Sequence, residues 1–420
     1  MNNWKYKILE NICDVRDGTH DSPKYVESGI PFITSKNLTE NGISFDDISY
    51  ISLTDHTKIS KRSKVDKGDI LFGMIGTIGK PVIVLDDTEF SIKNVALIKF
   101  SKTTELDNNF ALHIFKSNII DEQFRKKLDG GVQNFVSLSA IRTLLFPLPS
   151  ILEQKKIAKI LSTCDSVIDK TKEAIKKYQA IKAGMMDDLF TRGIDPVTKK
   201  LRPSYKDAPE LYKKSELGVI PKDWDVKRLY EIAHSVDYRG KTPPKSDKGI
   251  FLITAKNIKF GYIDYETSKE YILKSSYMTT MSRGETKLGD VLITTEAPMG
   301  NVAQIDKEGL ALAQRVIKYR GIEDTILNDY LKNSLMSKYF QKELIAESTG
   351  STVKGIKGSR LHKLNVLVPK INEQENIIST LKPIDNKIQT EQNTLKKYEQ
   401  IKKGLMDDLL TGKKEVRVKE

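Results

Sequence analysis

Cysteine is nearly absent from this chain: there are two in 420 residues, Cys13 and Cys164. They form no Cys-x-x-Cys and no metal-ligand spacing. That excludes a disulfide framework and a zinc module and makes a reducing compartment, the cytoplasm, the expected location. No apolar run approaches the roughly 18 residues a bilayer-spanning helix needs, and Met1-Asn-Asn-Trp4-Lys5 lacks the basic-then-apolar order of a signal peptide. No membrane partner is expected. The five histidines, His20, His56, His113, His234 and His362, make no His-x-His or His-x-x-x-His pair. Isolated histidines of this kind are expected to be structural or solvent-facing.

Nucleotide and methyl-donor motifs are also missing. Phe72-Gly-Met-Ile-Gly76-Thr-Ile-Gly79-Lys80-Pro81 resembles a phosphate loop at first sight. Met74 stands where the first glycine is required, and Pro81 replaces the Ser or Thr that must follow the lysine. The stretch reads instead as a strand followed by glycine turns, either approaching a partner or forming a plain hairpin. Thr242-Pro243-Pro244-Lys245 is not the Asn-Pro-Pro-aromatic motif of amino-methyltransferases. The pairs Asp187-Asp188 and Asp407-Asp408 could hold Mg²⁺ in principle. Adjacent residues diverge around a helix, so they read as solvated or partner-contacting.

What the chain does have is charge and repetition. Its net charge is +13, which favours a polyanionic partner. With 39% hydrophobic and 30% charged residues it is globular, and its length suits two to four domains. Pro149-Ser-Ile-Leu-Glu153-Gln154 returns 220 residues later as Pro369-Lys-Ile-Asn-Glu373-Gln374. Lys176 to Leu189 returns as Lys396 to Leu409, Trp4 to Ile12 as Trp224 to Ile232, and Gly29 to Asn37 as Gly249 to Asn257. Between these anchors the copies diverge, as in Asp17-Gly18-Thr19-His20 against Tyr238-Arg239-Gly240-Lys241. A shared frame with unshared loops fits two modules of one architecture and different specificity.

Each copy begins with a compact α+β domain, over 1–148 and 218–368. Phe32–Thr34, Asp69–Phe72, Pro81–Leu85 and Val95–Phe100 read as strands, and Phe110–Leu128 as a helix ended by Gly130-Gly131. The second copy repeats this with Val291–Thr294, Ala311–Ala313 and a helix over Asn328–Ala346. Each copy ends in a long helix, over 149–192 and 369–412. Ile157, Leu161, Cys164, Ile168, Ile175, Tyr178, Met185 and Leu189 keep a 4-3-4 spacing interrupted by Thr171 and Lys182. Ile377, Leu381, Ile384, Ile388, Leu395, Tyr398, Leu405 and Leu409 keep the same frame. Two matching seams predict helices of roughly 50 Å that pair with each other. Pro383 is expected to start, kink or interrupt the second. A turn-rich linker over 193–217 joins the copies, and 413–420 is a basic tail.

In this order and at this repeat distance, the Pro-x-x-x-Glu-Gln helix starts, the Lys-Lys-Tyr to Asp-Asp-Leu helix ends and Ile220-Pro221-x-x-Trp224 resemble the specificity subunits of type I restriction-modification systems over essentially the whole chain. The resemblance implies two target-recognition domains that each read half of a split double-stranded DNA sequence. Two long antiparallel coiled-coil helices would space them. It implies no catalytic residue, metal or cofactor on this chain. Two methyltransferase (modification) subunits would bring S-adenosylmethionine and methylate adenine N6. Restriction subunits, where present, would use ATP and Mg²⁺.

Base readers are expected in loops that differ between the copies, because phosphate contacts orient a protein while base edges carry sequence. In the first domain the candidates are Thr19, His20 and Lys24, with Ser35, Lys36 and Asn37. In the second they are Arg239, Lys241, Thr242 and Lys245, with Lys256 and Asn257. Arg239 suits guanine and Asn37 or Asn257 adenine. Lys36-Asn37 and Lys256-Asn257 occur in both copies, which favours phosphate or framework roles. Lys354, Lys357 and Arg360 are candidate phosphate binders. Two other readings stay open: a protein-binding coiled-coil scaffold without DNA specificity, and a nuclease with scattered acidic ligands. Salt-dependent DNA binding by the complex, and cleavage by the chain alone with Mg²⁺, discriminate them.

Overall fold

The computed structural model describes residues 4–40, 42–76, 78–127, 135–238, 243–350 and 354–417. The chain forms two compact units. One contains residues 1–173 and 392–420, the other 174–391.

The first unit is built on an antiparallel sheet of β1 (Asp14–Asp17), β2 (Ile70–Gly73), β3 (Gly79–Ile83) and β4 (Val95–Lys99), in the order β1-β4-β2-β3. Both faces are covered, so the strands read as continuous apolar runs. Ile70, Phe72, Ala96 and Ile98 face one core with Phe110, Ile114 and Phe146; Leu71, Val95 and Leu97 face a second with Ile33, Leu38 and Ile92. The phosphate-loop lookalike is the hairpin between β2 and β3, with Gly73 opposite Gly79. Around the sheet lie α1 (Leu53–Ser63), α2 (Asn108–Phe115), α3 (Asn118–Lys127) and the first part of α4 (Ile151–Thr191).

The second unit repeats the plan with β5 (Ala233–Asp237), β6 (Val291–Thr294), β7 (Val302–Gln304) and β8 (Val316–Gly321), in the order β5-β8-β6-β7. Its helices include α5 (Asn328–Met336), α6 (Lys338–Ala346) and the first part of α7 (Ile371–Leu410).

The single helix expected over Phe110–Leu128 is instead the pair α2 and α3, and that over Asn328–Ala346 is α5 and α6. The break falls at equivalent buried serines. Ser117 Oγ donates to Ile114 O at 2.7 Å and accepts Ile119 N at 3.3 Å, while Ser337 Oγ accepts Phe340 N. A serine that bonds local backbone offers the chain an alternative to the helical ladder. Leu128 and Gly130-Gly131 lie outside the described residues.

Pro383 does not interrupt α7, which runs through it. Its side chain is exposed, and Ile377 and Leu381 anchor the flanking turn in the core, so the loss of one backbone bond is tolerated locally. On the α4 seam, Ile157, Leu161, Ile168, Ile175 and Leu189 are buried, and Tyr178 and Met185 half-buried. On α7, Ile377, Leu381 and Leu409 are buried, and Ile388, Leu395, Tyr398 and Leu405 half-buried. In the first unit Leu409 and Leu410 share a core with Ile157 and Leu161. In the second, Met186, Leu189 and Phe190 share one with Ile377 and Leu381. Lys182, a polar interruption of the seam, is buried and bonds Asp385 at 2.6 Å; its repeat equivalent Lys402 pairs with Asp165.

The linker is folded. A hairpin of Tyr212–Ser215 with Gly218–Pro221 follows a turn closed by Ile194 and Leu201. Arg202 is buried against Glu373 and bonds Asp223 at 2.8 Å. Gly193, at φ +65°, passes this pair so closely that a Cβ would meet Glu373, Arg202 and Trp224.

Candidate nucleic-acid interface

One end of each central sheet gathers the loops that differ between the copies. The register places Asp17 opposite Ala96 and Gly73 opposite Val95. The ends of β1 and β2 and the start of β4 therefore lie side by side, and Thr19-His20, Met74-Ile75 and Lys93-Asn94 emerge together. In the second unit Asp237 is opposite Ile317 and Thr294 opposite Val316. The chain after β5, Thr295-Glu296 and Gln314-Arg315 share the equivalent edge.

Hydrogen bonds hold the first edge. Gly18 must be glycine, because a Cβ would lie 2.3 Å from Ile92 O. Thr19 bridges Lys93, and Thr19 Oγ1 accepts Asp21 N. His20 is exposed, with Nδ1 2.9 Å from Asn94 Oδ1 and Nε2 2.8 Å from Asp17 Oδ2. The bond to Asn94, then that to Asp17, raises the imidazole pKa, so this edge favours a cationic His20. Arg62, from the end of α1, also bonds the buried Asp17, and Lys93 bonds Ser22. Lys24 and Lys36 are exposed.

Arg239, Lys241 and Thr242 lie outside the described residues. On the second edge Arg315 pairs with Glu296 at 2.7 Å, while Lys245 pairs with Glu270 at 2.7 Å, next to the strand that carries Tyr271. Gly355 bridges Glu296, bringing exposed Lys354 and Lys357 to the same edge. Arg360 is further along, on the turn after Lys357, paired with Glu347.

Asn37, Asn257 and Ser35 are corrected as base readers. Asn257 is fully buried: Oδ1 accepts Thr254 N and Oγ1 at 2.9 and 2.8 Å, and Nδ2 donates to Asp264 O and Ser268 O. Asn37, also buried, uses Oδ1 in the same way, accepting Thr34 N and Oγ1, and its Nδ2 donates to Ser44 O at 3.4 Å. Ser35 is buried with Oγ donating to Asn94 O at 3.2 Å. An amide whose donors and acceptor are used internally has none left for adenine. Each asparagine instead fixes a turn that presents exposed Lys36 or Lys256.

The edges also carry Arg62, Lys93, Arg315 and Ile75, with Phe135 bridged to Ile75, none of them among the sequence candidates. Four of them lie where the copies diverge and could have been found by that signal. Arg62 reaches the edge only through the packing of α1, and no sequence pattern marks it. The four repeated carboxylates all form ion pairs: Asp187 with Lys338, Asp188 with Arg192, Asp407 with Lys413 and Asp408 with Lys414. Among the described residues no cluster of His, Cys, Asp and Glu has the geometry of a metal site, and no helix is long and apolar enough to cross a membrane.

The family profile of the type I restriction modification DNA specificity domain matches this chain twice, over residues 1–180 and 221–402. The chain belongs to the type I restriction-modification specificity subunits. The MjaVIII type I restriction enzyme specificity subunit of Methanocaldococcus jannaschii is 28% identical over 94% of this chain and 88% of its own length. The putative MjaX specificity subunit of the same organism is 27% identical over 99% and 94%. A crystal structure of a type I restriction-modification system S subunit from M. genitalium shares the fold at a TM-score of 0.54, with 13% identity, over 99% of this chain and 97% of that one. As a specificity subunit, the chain is the DNA-recognising component of its system.

Proposed function

We propose that the two sheet edges each read one half of a bipartite DNA target. The observation that carries this reading is the edge itself, built twice from the same strand ends and furnished with different side chains. His20, Arg62, Lys93, Lys24 and Lys36 serve the first half-site. Lys245, Lys256, Arg315, Lys354 and Lys357 serve the second, together with Arg239, Lys241 and Thr242. Exposed lysines neutralise phosphates and orient the duplex, while Arg315, held in plane by Glu296, suits a bidentate contact to guanine. The paired seams of α4 and α7 form an antiparallel coiled-coil spacer that sets the gap between the half-sites. This chain supplies recognition and no reacting group. Two modification subunits supply S-adenosylmethionine and methylate adenine N6, and restriction subunits supply ATP- and Mg²⁺-dependent cleavage.

The test is an exchange of residues 1–148 for the corresponding domain of another specificity subunit, followed by mapping of methylated adenines. One half of the methylated motif should change and the other persist. A change in both halves, or methylation by the isolated chain, would overturn the reading.

A further inference from the structure

Beside the cations of the first edge stand two exposed apolar side chains, Ile75 and Phe135, 44% and 50% exposed. Single exposed apolar residues are ordinary. These two face each other across an isolated antiparallel bridge, with Val136 N donating to Met74 O at 2.8 Å. Directly opposite residues of an antiparallel pair project to the same side, and their neighbours to the other. Met74 and Val136 accordingly point into the core, at 5% and 2% exposure, leaving Ile75 and Phe135 as an adjacent outward pair. Ile75 follows the end of β2, which is one strand from β4, preceded by Lys93, and two from β1, followed by His20, so at about 4.8 Å per strand the ends of β2 and β1 stand roughly 10 Å apart.

The second unit has the same annex with other side chains. Ile356 N donates to Thr295 O at 3.0 Å, Thr295 and Ile356 point inward, and Glu296 and Gly355 take the outward places. The frame needs the inward residues; nothing in it needs an isoleucine and a phenylalanine outside. An apolar pair on an edge that also carries Lys93, Arg62 and His20 matches a duplex groove, where phosphates meet the cations and the one exposed apolar group of a base edge is the thymine C5-methyl.

We infer that Ile75 and Phe135 are specificity residues that read a thymine C5-methyl in the first half-site, an inference that rests on the function proposed above. The experiment uses the chain in complex with its modification subunits and a duplex carrying the methylated motif mapped from the host genome. Each thymine is replaced in turn by deoxyuridine, which removes only the methyl. One replacement in the first half-site should weaken binding about four-fold, the value of one buried methyl group. No replacement in the second half-site should act through this pair. In Phe135→Ala and Ile75→Ala complexes the thymine and uracil duplexes should bind equally. Both positions are exposed, and an unchanged melting temperature shows that the fold is kept. Equal binding of every uracil duplex by the wild-type complex overturns the inference, as does a methyl preference that survives both substitutions. A wild-type complex with no preference for its motif over unrelated DNA would overturn the functional reading instead.

Discussion

The two copies agree most closely where their side chains are buried and least where they are exposed. Gln154 and Gln374 are both fully buried at the start of a long helix. Gln154 Nε2 donates to Glu105 O and Pro149 O, and Oε1 accepts Asp107 N; Gln374 does the same with Thr325 O, Pro369 O and Leu327 N. At the sheet edges the same backbone carries Ile75 in one copy and Glu296 in the other. A buried amide with three bonds cannot be exchanged without leaving backbone groups unsatisfied, whereas an outward side chain answers only to its ligand. Where outward positions diverge on a shared frame, the frame itself places no demand on the side chain.

The copies also differ inside, and those differences rank the expected effects. Glu373 is buried with Arg202, while its equivalent Glu153 lies near the surface and accepts Ser150 N as a helix cap. Arg202→Ala should cost about 3–5 kcal/mol by stranding a buried carboxylate. Glu153→Ala should cost about 0.5–1 kcal/mol. Denaturant unfolding of the full chain measures both; equal losses would remove the contrast.

His113 offers the next largest effect. It is buried in the first unit, with Nε2 3.0 Å from Ser162 Oγ and Nδ1 4.0 Å from Asp165, which also pairs with Lys402. Burial lowers its pKa to about 4 from 6.5, the Asp165 carboxylate opposes that shift, and Lys402 and Lys116 reinforce it. Between these values the unfolded chain binds a proton the folded chain refuses. Stability therefore falls as pH drops from about 6.5 to about 4, by on the order of 3 kcal/mol. The second unit has Asn333 at this place, which does not titrate. His113→Asn should flatten that part of the pH profile, and an unchanged profile would show that other groups govern it.

Gln154→Ala and Gln374→Ala should each cost about 1–3 kcal/mol, and nearly the same amount. Unequal losses would show that the frame is not equivalent in the two copies. The smallest effect concerns Lys36 and Lys256, exposed on equivalent asparagine-closed turns. Replacing either with alanine should weaken DNA binding by the complex on all sequences alike and lower the salt-dependence slope by about 1. A change in sequence preference at either position would assign it to base reading.

Pattern recognition reached the repeat, three strands of the first central sheet, one of the second, and the two long helices, because these depend on which residues are apolar and at what spacing. Asp14–Asp17 and the polar-tipped strands Ala233–Asp237, Val302–Gln304 and Val316–Gly321 carry too little apolar run to show. Spacing could not show that Ser117 and Ser337 would each break a helix. A serine mid-pattern is neutral until its hydroxyl finds the backbone. Nor could it show that α7 would absorb Pro383, which depends on which way the ring faces. The candidate readers separated in the same manner. His20 follows the end of β1 at the first sheet edge, whereas Lys245 pairs with Glu270 beside another sheet, and Asn37 and Asn257 had the right chemistry for adenine but are bonded within their own turns.

Period and repetition alone were thus enough to establish a duplicated α+β chain with two long helices, since burying an apolar face imposes a local spacing that survives in the linear order. Which polar groups are spent inside the molecule and which remain for DNA was decided only on folding. That assignment depends on contacts between residues far apart in the chain, such as Arg62 with Asp17 and Arg202 with Glu373, and no local spacing encodes them.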